Sequence, residues 1–147
     1  MRRQKGFTLI EIVIVIGIIA ILSAIAIPSY RDYIMRSQVT EAFSTLSNAR
    51  VKMEQWFQDN RTYNGACANG TPVYAALAAT THFSYQAGCT ITNAGAGFSL
   101  TATGTSGGVT GFAYAVDQTN AMSSVLPTTS GWASNAACWV KKKDGSC

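Results

Sequence analysis

The first hydrophobic feature of the chain is a run over residues 7–27, in which Glu11 is the single charged side chain. A helix of that length is roughly 30 Å long and matches the hydrocarbon core of a bilayer. The run is too long for the apolar core of a secretory signal peptide, although Ser23–Ala26 looks like a cleavage site. The helical pattern also continues beyond Pro28, so the sequence predicts a retained membrane-spanning helix.

Beyond Pro28, apolar residues recur three and four positions apart until about Asp59, and charged residues occupy most of the positions between them. This spacing predicts one amphipathic face of a helix that continues directly from the membrane span. The members of that face are Tyr30, Tyr33, Ile34, Ala42, Phe43, Leu46, Ala49, Met53, Trp56 and Phe57. Gly17 and Pro28 weaken the helix, which makes either a static kink or local melting between them a hypothesis.

Residues 59–72 form a turn-rich loop, and residues 73–82 fit either a short helix or coil. Asn60–Thr62 and Asn69–Thr71 match the N-glycosylation pattern, but we interpret them as turn residues.

The second half of the chain alternates apolar and polar residues in four segments separated by glycine-rich or polar turns. These segments are residues 83–92, 97–103, 111–116 and 121–126. They predict an antiparallel meander of about four strands with one apolar face on the helix, and therefore an α+β fold. The core candidates are Phe98, Leu100, Phe112 and Tyr114, with Trp132 and Trp139 beneath the C-terminal segment.

Charged residues make up only 12% of the chain, and the net charge is +4. Arg2, Arg3 and Lys5 precede the apolar run, so the remainder of the chain is nearly neutral. The basic balance is therefore weak evidence for nucleic-acid binding, and the three residues are typical of topology signals that stay in the cytoplasm.

Four cysteines, Cys67, Cys89, Cys138 and Cys147, all follow the apolar run. An even number of cysteines beyond a membrane signal predicts two disulfides in an oxidising compartment. Of the three possible pairings, Cys67–Cys89 and Cys138–Cys147 are favoured because each closes a short loop.

The residue types needed for an enzyme site are scarce. The chain has one histidine, His82, no Cys-x-x-Cys pair and few carboxylates after Pro28. A zinc site, an acid–base pair and a phosphate-binding loop are therefore not predicted. We expect no catalytic activity, no metal and no cofactor.

The stretch Lys5–Glu11, "KGFTLIE", followed by the apolar run and Pro28, resembles the type IV prepilin motif of pilins and of type II secretion pseudopilins. In that family a membrane peptidase cleaves after the glycine and methylates the new N-terminal residue. The resemblance implies cleavage between Gly6 and Phe7 and N-methylation of Phe7. It covers residues 2–34 closely and the rest of the chain in layout only.

The resemblance also explains the lone acid in the apolar run. A buried carboxylate is tolerated when it is paired. Cleavage creates a cationic amine on Phe7, and Glu11 of a neighbouring subunit can neutralise it as the helices pack into a filament. The alternative is that Glu11 interacts with the N-terminus of its own helix.

The last segment of the chain, between Cys138 and Cys147, resembles the disulfide-bounded C-terminal region of many pilins. Lys141, Lys142 and Lys143 lie within it. Three adjacent lysines are typical of a solvated surface; the alternative is a contact to DNA phosphates, which neighbouring aromatic side chains would strengthen.

The resemblance implies a leader peptide over residues 1–6, a transmembrane assembly helix over 7–29 and a globular pilin domain over 30–147. The implied function is a type IV pilus subunit, major or minor, used in adhesion, twitching motility or DNA uptake. Implied partners are other pilin subunits, the prepilin peptidase, inner-membrane assembly machinery and, in one reading, DNA. The implied location is the inner membrane before assembly and the extracellular pilus afterwards, with the globular domain outside the cytoplasm.

Three alternatives stay open. They are a DNA-binding uptake pilin, a type II secretion pseudopilin and a membrane-anchored domain that does not polymerise. Four cysteines count modestly against the pseudopilin, and a harmless Glu11→Ala change would favour the anchored domain.

Overall fold

A computed structural model of the chain describes residues 6–147. Two helices and five strands carry the fold: α1 (Leu9–Asn60), α2 (Pro72–Ala76), β1 (Phe83–Ser84), β2 (Cys89–Thr92), β3 (Gly97–Gly104), β4 (Ala113–Asp117) and β5 (Met122–Val125). The backbone divides into two units, Met1–Ile34 and Met35–Cys147, and α1 runs through the boundary. The predicted α+β architecture, a long N-terminal helix and an antiparallel sheet, is confirmed.

The described part of the first unit is residues 6–34, most of which belong to the apolar half of α1. Its side chains are exposed almost throughout, with Leu9 at 82% and Ile25 at 71% of full exposure. The helix passes through Gly17 and Pro28 without interruption. By length and composition, α1 alone among the described helices is able to cross a bilayer.

The second half of α1 buries one face in the core of the second unit. The buried residues of this face, three and four positions apart, are Val39, Ala42, Leu46, Ala49 and Met53. This spacing keeps side chains on one side of a helix, as the sequence predicted. Val39 joins the face, whereas the predicted members Tyr30 and Tyr33 are exposed.

Strand β3 organises the antiparallel sheet. It pairs with β4 on one side and with both β1 and β2 on the other, and β5 completes the sheet beyond β4. Leu100 lies opposite Val116, and Ala102 lies opposite Tyr114. All four of these side chains are buried in the face that packs on α1. The core predictions Phe98, Leu100, Phe112, Tyr114, Trp132 and Trp139 are all buried.

The sheet has five strands where the sequence predicted about four, because residues 83–92 are two strands and not one. The backbone leaves the extended conformation at Tyr85 (φ −130°, ψ −34°) and turns through Gln86–Gly88. The amide of Cys89 donates to the carbonyl of Gln86 and closes this turn. As a result, β1 and β2 pair with successive parts of β3. The ambiguous segment after Pro72 forms the short helix α2.

Candidate functional site: the N-terminal helix and the C-terminal lysine turn

The first candidate site is the start of α1. Gly6 and Phe7 lie in non-helical backbone before the helix, and Phe7 is 87% exposed. Apart from its chain neighbours, no described residue has an atom within 4 Å of the position where a side chain on Gly6 would begin. Among the described residues, the space beside Gly6 is therefore open. Residues 1–5, with the basic residues predicted to set topology, lie outside the described part of the chain.

Glu11 is engaged within its own helix. The Thr8 amide donates to Glu11 Oε2 at 2.8 Å, and the Thr8 hydroxyl donates to the same oxygen at 2.7 Å. In return the Glu11 amide donates to Thr8 Oγ1 at 3.3 Å. This reciprocal pair is a capping box, which satisfies donors that the first turn of a helix leaves without partners.

The apolar side chains of α1 that follow this cap are exposed to solvent. From Phe7 to Pro28 the only charged side chain is Glu11, and side chains such as Ile16 and Ile21 remain at least 60% exposed. Apolar surface of this extent marks a membrane or protein interaction site. Glu11 is therefore placed at the N-terminal end of a surface suited to lipid or to apolar helices.

The second candidate site is the lysine-bearing turn near the C-terminus, which we call the lysine turn (residues 141–146). The Gly145 amide donates to the Lys142 carbonyl at 3.1 Å, and the Lys141 amide donates to the Ser146 carbonyl at 2.9 Å. Gly145 has φ +82°, a value that favours glycine. The Lys143 carbonyl accepts from the Ala133 amide at 2.9 Å, which ties the turn to the preceding segment.

The three lysine residues of the turn are exposed and follow one another along the backbone. Asp144 beside them is also exposed. Its Oδ1 accepts from the Ser146 amide at 2.9 Å, and the interaction with Ser146 lowers the pKa of its carboxyl. The structure thus presents three cations and one anion on a turn that is fixed by backbone hydrogen bonds.

Trp139, which precedes Lys141 by two residues in the sequence, is buried in the core. Its ring stacks on Phe43 with centroids 5.3 Å apart and planes at 9°. Its Nε1 donates to the Ala115 carbonyl at 2.8 Å, and the residue is only 8% exposed. Trp139 is therefore not placed to stack on nucleic-acid bases.

Ser124 connects β5 to the C-terminal segment, a role that the sequence did not predict. Its amide and carbonyl pair with the carbonyl and amide of Asn135 at 2.7 and 3.0 Å. Its hydroxyl donates to the Cys138 carbonyl at 2.7 Å and accepts from the Val140 amide at 2.9 Å. Ser124 is 2% exposed, so these bonds replace water for a buried group.

A second contact that the sequence did not predict, after that of Ser124, joins α1 to the segment before β1. His82 donates its amide to Glu41 Oε1 at 3.2 Å, and its Nδ1 lies 3.0 Å from Glu41 Oε2. Partial burial opposes ionisation of Glu41, but the proximity of Thr80 and the hydrogen bonds with His82 outweigh it and lower the pKa of the carboxyl. A single histidine in a turn-rich stretch gave no sequence signal for this pair.

The cysteines lie in two pairs. Cys67 is bonded to Cys89 with Cα atoms 5.8 Å apart, as the sequence predicted. This bond ties the loop after α1 to the start of β2. Cys138 and Cys147 form the other pair, with Cα atoms 6.1 Å apart. Among the described residues, no group of three or more histidine, cysteine or acidic side chains is placed to hold a metal ion.

An exposed apolar helix that continues into the core of a small α+β unit with an antiparallel sheet defines a pilin-like class of protein. Comparison with known families agrees. Residues 1–27 match the prokaryotic N-terminal methylation motif. Residues 28–112 match the family described as "Type IV minor pilin ComP, DNA uptake sequence receptor". The chain belongs to this family of type IV pilins, which confirms the resemblance seen in the sequence.

Curated relatives are fimbrial proteins. The chain is 41% identical over 106 residues to the fimbrial protein EcpC of Eikenella corrodens, covering 72% of this chain and 66% of that protein. It is 51% identical over 63 residues to a fimbrial protein of Moraxella nonliquefaciens, covering 43% and 41%. It is 48% identical over 68 residues to the type IV major fimbrial protein FimA of Dichelobacter nodosus, covering 46% and 42%. The matches thus span between about two fifths and two thirds of these relatives' length. No solved structure matches the chain.

Proposed function

We propose that this chain is a structural subunit of a type IV pilus and polymerises through the apolar half of α1. The observation that carries the proposal is the exposed apolar surface of that helix, with one carboxylate, Glu11, at its N-terminal end. The methylation motif over residues 1–27 and the names of the fimbrial relatives support it.

In this proposal, the prepilin peptidase removes residues 1–6 and methylates Phe7. The open backbone at Gly6 and the exposure of Phe7 are consistent with access by a protease. Residues 7–29 then hold the subunit in the inner membrane, and residues 30–147 form the globular domain on the outer side. Inner-membrane assembly machinery transfers the subunit into the extracellular filament.

Glu11 has two successive partners in this sequence of events. Before assembly, it accepts hydrogen bonds from Thr8 of its own chain. During assembly, the methylated amine of Phe7 of a neighbouring subunit becomes its partner, because a cation neutralises the carboxylate in an apolar environment more fully than neutral donors do. The requirement for this ion pair fixes the position of each added helix.

The assembly role of Glu11 is tested with a Glu11→Gln chain, which removes the charge and retains the size of the side chain. We expect normal membrane levels and loss of the subunit from sheared filaments. Asp59→Asn, at the exposed C-terminal end of the same helix, is the control and should leave assembly unchanged. Normal incorporation of the Glu11→Gln chain would contradict the proposal and favour a non-polymerising anchored domain.

A second candidate function is DNA capture by the assembled subunit. Two observations favour it: the family description names a DNA uptake sequence receptor, and Lys141, Lys142 and Lys143 are exposed on one backbone-fixed turn. The family match ends at residue 112 and does not include the lysines. Phosphate contact by the lysine turn is therefore a proposal from this chain's own surface.

Salt dependence separates a DNA site from a solvated surface. Each phosphate contact adds roughly 0.9 to the slope of log affinity against log salt. Replacing all three lysines with alanine should weaken DNA binding by the full chain and lower that slope. A Lys52→Ala chain, which changes one lysine on α1, is the matched control. Equal affinity and slope in the triple variant and the wild type would remove the lysine turn as the DNA contact.

A further inference from the structure

Two asparagines of the chain are followed by glycine, Asn64 and Asn69. Each pair occupies the middle of a four-residue turn in the loop after α1. The turns are Tyr63–Ala66 and Ala68–Thr71, in which the last amide donates to the first carbonyl at 3.0 and 3.3 Å. The glycines have φ +81° and +88°, as in type II turns. The two sites are therefore matched in sequence and in turn geometry, and they differ in their surroundings.

The first turn is held against the rest of the fold. Asn64 Nδ2 donates to the Ala94 carbonyl at 3.4 Å, and the Asn64 amide donates to Thr62 Oγ1 at 3.2 Å. The side-chain amide of Asn64 also lies so close to Gly95 that a methyl group there would come within 2.7 Å of it. The bond to Ala94 and the contact with Gly95 restrict rotation of the Asn64 side chain, and the bond to Thr62 holds its backbone.

The second turn is open. Asn69 and Gly70 are exposed, as are Asn64 and Gly65, so exposure does not distinguish the two turns. Nothing lies within 4 Å of the position where a side chain on Gly70 would begin, whereas the ring of Trp56 lies 3.6 Å from the same position on Gly65. Among the described residues, neither the side chain of Asn69 nor the amide of Gly70 makes a hydrogen bond. The side chain of Asn69 and the following peptide unit are thus free to rotate toward each other.

We propose that Asn69 is a site of spontaneous deamidation. The backbone nitrogen of Gly70 loses its proton and attacks Cγ of Asn69. A new C–N bond closes a five-membered succinimide ring, and the bond from Cγ to the side-chain nitrogen breaks. The departing nitrogen takes up a proton from solvent, which balances the one lost by the Gly70 nitrogen, and leaves as ammonia. Water then adds to either ring carbonyl and opens the ring to aspartate or isoaspartate. No oxidant or enzyme is needed, and glycine favours ring closure because it lacks a side chain and rotates freely.

The product changes the charge of the exposed loop. A neutral amide becomes a carboxylate, so deamidation of Asn69 lowers the formal net charge of the chain by one, from +4 to +3. Because Asn69 lies on the surface of the second unit, the new charge is added without disturbing a buried group. The reaction requires only the folded chain, so it is independent of the filament proposal.

Selectivity between the two sites follows from their contacts. Ring closure at Asn64 must break the hydrogen bond to Ala94 and move the amide away from Gly95, whereas ring closure at Asn69 breaks no side-chain contact. We expect Asn69 to react about tenfold faster, which corresponds to about 1.4 kcal/mol of activation free energy. Without structural control the two sites would react at similar rates.

The test is ageing of the purified full chain in detergent at mildly alkaline pH in ¹⁸O-labelled water, followed by peptide mapping with mass spectrometry. We expect labelled aspartate and isoaspartate at position 69 to accumulate about tenfold faster than at position 64, with release of ammonia. An Asn69→Gln chain, whose longer side chain disfavours ring closure, should lose the acidic species seen on isoelectric focusing. Asn64→Gln is the matched control and should retain most of it.

Three results would overturn the proposal: equal rates at the two asparagines, faster reaction at Asn64, or a glycan already occupying Asn69 in chain taken from native cells. A Thr62→Val chain adds a further check. It removes the hydroxyl that accepts from the Asn64 backbone amide and donates to the Gly95 carbonyl. Because this loosens the backbone of the first turn next to Gly95, the rate at Asn64 should rise toward that at Asn69. The wild-type comparison stands by itself if this variant does not fold.

Discussion

Thr8 and Glu11 form reciprocal hydrogen bonds that cap the first turn of α1. The carboxylate of Glu11 accepts from both the amide and the hydroxyl of Thr8, and the hydroxyl of Thr8 accepts from the amide of Glu11. The acid in the apolar run therefore has a local function before any subunit contact forms. It holds the helix start next to the proposed cleavage site and keeps its own charge hydrogen-bonded.

The capping box predicts different outcomes for two substitutions at Thr8. Thr8→Ser retains the hydroxyl and should leave the first turn intact. Thr8→Val has nearly the same shape but lacks the hydroxyl, so it should fray the start of the helix. Amide hydrogen exchange in detergent micelles should be faster over residues 9–12 in the valine chain only. Equal exchange in both chains would show that the capping box does not hold this turn.

The pair formed by Glu41 and His82 predicts a pH-dependent contribution to stability. The folded-state pKa of Glu41 is lowered, so it lies below the unfolded value of about 4.3. The contribution is therefore fully present above that value and is lost as pH falls through the folded-state pKa. Glu41→Gln should reduce the free energy of unfolding by about 1 kcal/mol at neutral pH, a value discounted for partial exposure.

Chemical denaturation across the acidic range checks this prediction. The difference between wild type and Glu41→Gln should shrink as pH falls, because the wild-type carboxyl then becomes neutral as well. The exposed Asp59 serves as control, and Asp59→Asn should show no comparable difference. A constant difference at every pH would mean that the ionised contact with His82 is not the source of the effect.

We expect removal of the small, buried hydroxyl of Ser124 to lower the free energy of unfolding strongly. Ser124→Ala removes the partner of the Val140 amide and of the Cys138 carbonyl. Leaving such buried groups without partners costs about 1–3 kcal/mol. Hydrogen exchange of the Val140 amide should accelerate together with the loss of stability. Ser123→Ala, on the opposite face of the same strand, is the control; equal losses in both chains would refute a specific role for the Ser124 hydroxyl.

From the two cysteine pairs we predict which peptides stay linked in a digest, and which pair contributes more to the free energy of unfolding. A digest without reduction should contain Cys67 linked to Cys89, and Cys138 linked to Cys147. The first bond closes the longer loop, with a sequence separation of 22 against 9. Loop entropy then predicts a cost of about 3 kcal/mol for replacing the first pair with serine and slightly less for the second. Crossed linkages in the digest would contradict the pairing.

The sequence predicted those parts of the fold that depend on local periodicity. The end of α1 near Asp59, its core-facing spacing and the alternating strands from Gly97 onward were all readable from the order of residues. The break at Gln86–Gly88 was not, because the alternation of Phe83 and Tyr85 looks the same in one long strand as in a short strand followed by a turn. The two arrangements differ in how residues 83–92 pair with β3, and this pairing joins segments that are apart in the sequence.

The candidate site was predictable to a similar extent. The threonine at position 8 and the glutamate three residues later are a recognisable capping-box pattern, so the Thr8–Glu11 contact had a sequence signal. Contacts such as that between Glu41 and His82, or between Ser124 and Val140, join residues far apart in the chain, and no spacing rule reveals them. Likewise, only the fold shows that Trp139 stacks on Phe43 and is not exposed beside the lysine turn.

The most direct test of the central claim is mass spectrometry of sheared surface filaments from the native cell, with the N-terminal peptide of this chain identified and quantified. A pilus subunit should occur there as a chain that begins at N-methylated Phe7 and lacks residues 1–6. A high proportion would indicate the main structural subunit, and a trace would indicate a minor pilin. Absence from the filaments, with the chain retained in the membrane, would contradict the proposed function.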